Sequence, residues 1–273
     1  MKIGIALRNM GPQSTPGILA DAAKFADTSG LGHLWVLDHI AIPPDDSKGS
    51  EGRYVDPLAT LAFLSGITKQ IQIGTSVLVL PYRERFMTAK LVASIQELSG
   101  ERLLLGVGTG WMESEFKAVG KDIKKRGADT DKTIDFINHC FENHIVVENG
   151  QEFIFSPRPK RPPLLIGGNS DKALDRVLQR GDGWMPMIKD DSTLITTCLK
   201  LKKDMLYRRG VEPIVIPLKQ LDLDDLDKSV ETLQNLKEAG CSGVEHFQAY
   251  ETLDEFKHIT ERLLEIKNRA QID

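Results

Sequence analysis

The sequence predicts a (β/α)8 barrel, and three observations support that fold class. Short β-branched or apolar runs alternate with longer helical patterns along the chain, which is typical of a parallel sheet with right-handed crossovers. Eight such units are present, enough to close a barrel, and 273 residues suit a fold of about 250 residues. A doubly wound open sheet is the second possibility, although that architecture usually uses fewer units.

Strands and helices are predicted in alternation. The strand segments are 2–7, 33–38, 71–80, 102–107, 163–167, 183–187, 213–218 and 243–248. The helical segments are 16–29, 56–68, 84–99, 129–143, 171–180, 191–209, 226–239 and 252–269. Segment 145–162 breaks the rhythm, and its turn Glu148-Asn149-Gly150 between apolar runs predicts a hairpin outside the barrel. Because no linker or low-complexity segment divides the chain, we expect one domain over residues 1–273.

Local signals at the helix ends support these boundaries. Asp56-Pro57 predicts an N-cap followed by a proline in the first turn, and Ser170-Asp171 predicts the start of the fifth helix. Gly240 predicts the end of the seventh helix. Four apolar residues of the third helix fall at helical spacing before Gly100: Met87, Leu91, Ile95 and Leu98.

Composition and charge exclude several classes of protein. The net charge is −4, and scattered lysines and arginines do not form the basic patch of a nucleic-acid-binding protein. No apolar run reaches the ~20 residues that a transmembrane helix needs, and the N-terminus reads as a first strand instead of a signal peptide. The three cysteines are far apart without a CxxC motif, so we expect a reduced, cytoplasmic protein.

Two segments place polar or unusual residues at the carboxyl ends of barrel strands, where barrel enzymes have their active sites. The second strand ends in Asp38-His39, a carboxylate and an imidazole that can position a ligand and move protons, or simply cap a turn. The long third strand contains Gly74, which indicates a bulge or the close approach of a ligand. Ser76-Val77 follows where such a strand would bend towards the barrel mouth, although from these residues alone a plain buried strand is the better interpretation.

Two glycine-rich segments follow the fourth and fifth strands. Gly108-Thr109-Gly110 lies in a GVGTGW run, where glycines let the backbone N–H groups approach an anionic ligand. The spacing does not match a dinucleotide fingerprint or a Walker loop. Gly167-Gly168-Asn169-Ser170 precedes a helix and predicts either an anion site at the helix N-terminus or an ordinary serine cap. Trp184 either walls a planar ligand or fills the core.

Other kinds of active site lack their signatures. His139 and His144 are five residues apart, so they do not share a helix face as two metal ligands would. The first strand has no His-x-His, and the chain has no GxSxG motif. We therefore predict no metal ligands, and an acidic cluster at Asp222–Asp227 fits a solvated helix N-terminus.

These segments together resemble the luciferase-like monooxygenase superfamily, most closely its branch that uses the deazaflavin coenzyme F-420. The resemblance covers roughly the first two-thirds of the chain, and it is most specific over residues 73–111. The matching stretches are WVLDHI at 35–40, DPLATLA at 56–62, IGTSVLVLPYR at 73–83, AKLVASIQELSGERLLLGVGTGW at 89–111, EF at 115–116, RG at 126–127, IGGNS at 166–170 and GDGW at 181–184.

The resemblance implies a set of cofactor-binding residues. Asp38 and His39 would lie beside the polar edge of a flavin or deazaflavin ring. Ser76-Val77 would form a bulge behind the ring, often with a cis peptide bond in this family. Further residues would meet the ribityl chain and the phosphate: Gly108, Thr109, Gly110, Gly167, Gly168, Asn169 and Ser170.

The resemblance also implies a chemistry and partners. A hydride would pass between C5 of the cofactor and a small organic substrate, with His39 as the leading acid or base and Asp38 beside it. Coenzyme F-420 is favoured as the cofactor. FMN is the alternative, in a monooxygenase that uses a separate flavin reductase. We expect a homodimer through barrel-side helices and a flavin or deazaflavin reductase as electron donor.

The sequence departs from the family in two places. Some members that oxidise sugar phosphates carry a carboxylate directly after the GxGTG run, where this chain has Trp111, and the luciferase-type cysteine has no match. Two other functions stay open: a flavin-binding barrel without turnover, and a cofactor-free or metal-dependent hydrolase. The sequences of the loops that would select a substrate do not identify that substrate.

Overall fold

A parallel sheet rolled into a barrel forms the centre of the protein, which is described over residues 1–272 by a computed structural model. The strands are β1 Lys2–Ala6, β2 His33–Val36, β3 Gln72–Thr75, β4 Leu78–Val79, β5 Leu103–Gly108, β6 Ile145–Glu148, β7 Gln151–Ile154, β8 Leu164–Gly167, β9 Gly183–Met185, β10 Ile214–Val215 and β11 Gly243–His246. The helices are α1 Pro16–Ser29, α2 Pro57–Ile67, α3 Arg85–Leu98, α4 Glu113–Ala118, α5 Arg126–Glu142, α6 Asp171–Arg180, α7 Asp191–Arg209, α8 Leu226–Glu238 and α9 Leu253–Arg269.

The strand order shows that the sheet closes on itself. Its hydrogen-bonded order is β10-β9-β8-β5-β3-β2-β1-β11, with every pairing parallel. The two ends of this order are joined because the Ser242 N–H donates to the Val215 carbonyl at 2.8 Å and the Glu245 N–H to the Pro217 carbonyl at 2.9 Å. The predicted (β/α)8 barrel is therefore confirmed, and an open doubly wound sheet is excluded.

Side chains alternate between two apolar layers, as in other barrels. The large outer layer fills the space between the sheet and the helices. A small inner cluster fills the barrel itself: Trp35, Leu104, Leu165, Met185 and Ile216. Gly74 makes room for this cluster, because a Cβ atom there would lie 2.4 Å from Cζ3 of Trp35. Gly74 thus accommodates a core side chain and not a ligand.

The predicted helix ends are confirmed where a capping residue was identified. The Asp56 carboxylate accepts from the N–H groups of Leu58 and Ala59, and Pro57 follows it. Ser170 accepts from the Ala173 N–H at the start of α6. Gly240 has a φ of 88° just after α8, a left-handed conformation that favours glycine.

Four local features differ from the predictions or refine them. Helix α4 was not predicted, and α5 begins at Arg126 and not at residue 129. The third predicted strand is divided into β3 and β4. Segment 145–162 does contain the predicted hairpin, β6 and β7, which turns at Asn149 and Gly150 with φ angles of 51° and 77°. Helix α3 is confirmed, but three residues of its apolar stripe are exposed: Met87, Leu91 and Leu98.

None of the helices within residues 1–272 is long and apolar enough to cross a membrane.

Candidate active site

A cavity of about 470 Å3 opens at the carboxyl ends of the barrel strands. Parallel strands of a barrel end on one face, so residues far apart in sequence meet there. The cavity is lined by Leu37, Asp38, His39, Ser76, Val77, Val79, Gly108, Thr109, Gly110, Trp111, Gly167, Gly168, Met187, Leu218 and Phe247. It therefore brings together most of the predicted cofactor-binding residues, whereas a larger groove of about 900 Å3 between α8, α9 and the neighbouring loops contains none of them.

A bulge between β3 and β4 forms one wall of the cavity. The Ser76–Val77 peptide bond is cis, as the family resemblance implied. The Val77 side chain packs against two glycines, because Cβ atoms at Gly108 and Gly167 would lie 2.5 Å and 2.8 Å from its γ-carbons. These glycines are needed so that Val77 can nest between β5 and β8.

Asp38 holds this bulge in place through an ion pair. Its carboxylate accepts from both terminal nitrogens of Arg83 at 2.6 and 2.9 Å and from the Val79 N–H at 2.8 Å. Burial raises the pKa of the Asp38 carboxyl, and the hydrogen bonds from Arg83 limit that rise. Because Asp38 is buried and both its oxygens are engaged, it is placed to fix β4, and its predicted catalytic role beside His39 stays a prediction.

His39 is held by a glutamate for which no role was predicted. The Glu115 Oε2 atom lies 3.0 Å from His39 Nδ1 and accepts from the Tyr82 hydroxyl at 2.9 Å. Its Oε1 atom accepts from the N–H groups of Ile40 and Ala41 at 2.6 and 3.1 Å. One buried carboxylate on α4 thus fixes both the imidazole and the loop that follows β2.

These contacts keep Glu115 ionised. Burial alone would raise the pKa of its carboxyl, but the hydrogen bonds from His39 and from the Ala41 and Ile40 backbone outweigh burial and hold the pKa below its usual value. An ionised carboxylate can only accept, so His39 Nδ1 is the donor. In the neutral imidazole, Nε2 is then free to accept a proton.

Aromatic rings surround the His39 imidazole. The Tyr54 ring centroid lies 4.8 Å away, and the Trp111 ring stands edge-on at 6.3 Å. Trp111 is 73% exposed although it lines the cavity, so it forms part of the rim. Burial, with the charge of Glu115 adding to it, raises the pKa of Tyr54 and keeps this phenol protonated.

The two predicted glycine-rich segments line the cavity only in part. Gly108, Thr109, Gly110, Gly167 and Gly168 line the cavity. Asn169 and Ser170 do not line it. The Asn169 side chain exchanges two hydrogen bonds with the Met187 backbone, at 3.2 and 2.9 Å, and Ser170 caps α6. These last two residues shape the loop beside the cavity, and their contact with a phosphate stays a prediction.

Trp184 belongs to the core and not to the cavity wall. It is fully buried in the outer apolar layer, and its indole N–H donates to the Gly168 carbonyl at 2.7 Å. Of the two interpretations of this residue, core filling is therefore the right one. Its hydrogen bond fixes the carbonyl of a glycine that lines the cavity.

The lining fits a flat, mainly apolar ring with a polar tail. Val77, Leu218 and Phe247 supply apolar surface, while the glycines leave backbone close to the cavity. No lysine or arginine is among the lining residues of the described chain, so backbone N–H groups would have to bind a phosphate. Within residues 1–272, no group of three or more His, Cys, Asp or Glu side chains is placed to hold a metal ion.

Comparison with known proteins relates this site to one family. Residues 1–197 match the family described as luciferase-like monooxygenase. An uncharacterised protein of Mycobacterium tuberculosis is 28% identical over 240 residues, which cover 81% of this chain and 82% of that protein. An F420-dependent glucose-6-phosphate dehydrogenase of Kineococcus radiotolerans is 27% identical over 183 residues, covering 63% of this chain and 53% of the dehydrogenase.

Solved structures share the fold over nearly the whole chain. A monooxygenase from Streptomyces bottropensis superposes with a TM-score of 0.79 at 17% identity, covering 97% of this chain and 99% of that chain. The oxygenating constituent of 3,6-diketocamphane monooxygenase from Pseudomonas putida, in complex with FMN, gives a TM-score of 0.74 at 13% identity, with 98% and 96% covered. At these identities the superpositions show the fold alone.

Proposed function

The chain belongs to the luciferase-like monooxygenase family, and from this premise we propose that it is a flavin- or deazaflavin-dependent oxidoreductase that passes a hydride between the cofactor and a small organic substrate. The observation that carries the proposal is the cavity itself. It combines the Ser76–Val77 bulge, the glycines of β5 and β8, and a histidine whose orientation is fixed by Glu115.

The lining residues suggest how such a cofactor would be held. Val77 would support one face of the ring, and Ser76 lies beside it on the same wall. Backbone N–H groups around Gly108, Thr109 and Gly168 would meet the ribityl chain and the phosphate. When bound, the cofactor supplies C5 as the atom that accepts or donates the hydride.

His39 is the proposed acid or base. Hydride transfer to a carbonyl or from an alcohol leaves one proton to be moved at the substrate oxygen, which a positioned imidazole can do. Because Glu115 engages Nδ1, the Nε2 atom is the one that can exchange this proton. We assign Asp38 a positioning role, since Arg83 and the Val79 N–H engage its oxygens.

Coenzyme F-420 is the favoured cofactor, and FMN is the alternative. A relative is named as F420-dependent, and a solved structure of the same fold holds FMN, which is why both cofactors are proposed. With FMN, the protein would act as a monooxygenase supplied with reduced flavin by a separate reductase. A barrel that binds flavin without turnover is the third possibility.

The rim of the cavity favours an uncharged substrate. Trp111 stands where some sugar-phosphate-oxidising members of the family have a carboxylate, and no cationic side chain of the described chain lines the cavity. With the backbone N–H groups proposed to hold the cofactor phosphate, a sugar phosphate would have no side-chain cation to bind its own charge. We therefore expect a small apolar carbonyl compound or alcohol.

Titration of the purified apo-protein with coenzyme F-420 and, separately, with FMN tests the proposal. The three tryptophans provide the signal by fluorescence quenching. Tight binding of F-420 alone would support the favoured cofactor, and tight binding of FMN alone would support the monooxygenase. A bound cofactor that no hydride donor or reductase reduces would support the non-catalytic barrel. Saturation by neither would contradict the proposal.

We also propose a homodimer through barrel-side helices. Apolar residues of α2 and α3 are exposed, among them Phe63 at 41%, Met87 at 63% and Leu98 at 67%. Neighbouring exposed apolar residues on adjacent helices are typical of an interface. One chain has a mass of 30.4 kDa. Light scattering after size-exclusion chromatography should therefore give twice this mass, and the mass of one chain would contradict the proposal.

A further inference from the structure

Glu245 is a buried carboxyl that the proposed mechanism does not use. Its side chain is fully buried, and neither carboxyl oxygen has a hydrogen-bond partner of ordinary geometry among the described residues. The Ser76 hydroxyl is close enough to lower its pKa, although it does not complete such a bond. An apolar side chain would fill this place without the cost of an unpartnered polar group, so function explains a carboxyl here better than packing does.

The register of β11 places this carboxyl inside the barrel. Val244 packs in the outer layer, so the next side chain along the strand faces inward. Glu245 pairs with Gly4 of β1 on one side and bridges to Leu218 on the other. Ser76, which acts on the carboxyl, lines the cavity. Glu245 therefore lies behind the wall of the cofactor cavity.

A second unpartnered group occupies the same row of the barrel interior. His33 pairs with Gly4, and its ring covers that glycine, because a Cβ atom on Gly4 would lie 1.7 Å from Nδ1. The Trp35 indole N–H donates to Nδ1 at 2.8 Å, which places the proton of the neutral ring on Nε2. That Nε2 is buried without a hydrogen-bond partner in residues 1–272, and it reaches towards Gly243, two residues before Glu245.

Among residues 1–272, no charged side chain shifts the pKa of Glu245. The facing groups are Gly4 from β1, Leu218 after β10, Ser76 after β3 and the His33 ring from β2. Burial lowers the pKa of His33 to about 3, so this ring is neutral. Burial likewise raises the pKa of Glu245 to about 8. The carboxyl is therefore protonated at neutral pH and close to its own titration.

We propose that Glu245 is a proton-holding residue behind the cofactor cavity, and that in alkaline solution, where part of the protein has this carboxyl ionised, it takes up a proton when the cofactor binds. This inference rests on the proposed function. A bound ring would cover Ser76 and exclude water, and the phosphate would bring negative charge into the cavity. Both effects disfavour an ionised Glu245. The proton comes from solvent and is added to one carboxylate oxygen, and no electron moves.

Calorimetry of cofactor binding measures this uptake. FMN or F-420, whichever binds, is titrated into apo-protein at pH 8 in two buffers that differ in ionisation enthalpy. About half of the Glu245 side chains are ionised at this pH, so we expect uptake of roughly half a proton more for wild type than for Glu245→Gln. Glu261→Gln, an exposed glutamate of α9, is the matched control and should retain wild-type uptake.

An infrared pH titration of the apo-protein is the second arm, and its main observation is made on the wild type alone. The carbonyl stretch of a protonated carboxylic acid should be present at neutral pH and disappear with a midpoint near pH 8. In Glu245→Gln this band should be missing. Equal proton uptake by wild type and Glu245→Gln, or no protonated band in wild type, would overturn the inference alone. Failure of wild type to bind either cofactor would overturn the proposed function, and the inference with it.

Discussion

Glu115 and Glu245 are almost equally buried, with 1% and 0% of their surfaces exposed, but the protein surrounds them in opposite ways. Glu115, on the rim of the cavity, accepts hydrogen bonds from His39, Tyr82 and two backbone N–H groups. Glu245, inside the barrel, has no hydrogen-bond partner of ordinary geometry within the described part of the chain. The pKa of Glu115 is lowered, and the pKa of Glu245 is raised to about 8.

This difference shows that hydrogen-bond donors, together with the depth of burial, decide the charge of a buried acid. Desolvation raises the pKa of both carboxyls, and only on the rim do donors outweigh it. The rim therefore holds a fixed negative charge that orients a histidine. The barrel interior holds a neutral acid that can respond to what binds above it. Four experiments can break or sharpen this contrast.

The largest effect on activity is expected from replacing His39, the side chain that Glu115 positions. His39→Ala should lower kcat by roughly 10²–10⁴-fold, the usual contribution of a positioned acid or base. Cofactor affinity should change much less, because the proposed contacts of the ring are mainly with Val77 and the glycines that line the cavity. Steady-state kinetics and fluorescence titration together separate the two, and unchanged turnover would remove His39 from the mechanism.

The next effect concerns Glu245 and pH. Its folded pKa lies above the ordinary value of 4.5, so the folded state binds more protons and the stability of the wild type falls as pH rises from about 4.5 to 8. Relative to Glu245→Gln, the free energy of unfolding should fall by roughly 4 kcal/mol over this window. Urea unfolding at a series of pH values measures the difference. If the unfolding free energies of the two proteins changed in parallel with pH, Glu245 would not be neutral in the folded protein.

Glu115→Gln should show the opposite pH dependence and a smaller effect. At neutral pH the variant should lose about 2 kcal/mol of unfolding free energy, because one charged acceptor of several hydrogen bonds is replaced by an amide. The folded pKa of Glu115 is lowered, so this contribution is present above about 4.5 and disappears as pH falls further. Glu113→Gln, an exposed neighbour on α4, is the control. If the two variants are equally stable, the hydrogen bonds of Glu115 contribute nothing to the free energy of unfolding.

The smallest effect is expected at Ser76. Its hydroxyl lowers the pKa of Glu245, so Ser76→Ala should move the infrared midpoint of Glu245 to higher pH, by up to about one unit. A shift to lower pH would show that the hydroxyl favours the neutral acid. That result would reverse the assigned role of Ser76.

The sequence predicted the barrel well because its signals are local. Strand and helix periodicity, the Asp56 cap and the glycine after α8 all act within a few residues. Helix α4 is only six residues long and follows a glycine-rich run, so periodicity could not identify it. The apolar stripe of α3 is present as predicted, but most of it is exposed, because periodicity does not distinguish a core face from an exposed apolar face.

The site was predicted where a motif is contiguous and missed where it depends on contacts across the barrel. Asp38, His39, Ser76, Val77 and the glycines of β5 and β8 do line one cavity. The partner of His39 is 76 residues away in sequence, which no local pattern reveals. From sequence alone, a glutamate within a strand is expected to face outwards like other polar residues. Only the register of the strands in the barrel shows that Glu245 faces inwards.

The most direct test of the central claim is to fill the cavity and measure cofactor binding. Thr109 lines the cavity, so Thr109→Phe would occupy the space of the cofactor, whereas Thr196→Phe on the exposed side of α7 serves as the matched control. Fluorescence titration with F-420 and FMN should show saturable binding to wild type and Thr196→Phe, and weakening of at least about 100-fold in a folded Thr109→Phe, equivalent to the roughly 3 kcal/mol cost of overpacking a site. Unchanged affinity in Thr109→Phe would show that the cofactor binds elsewhere.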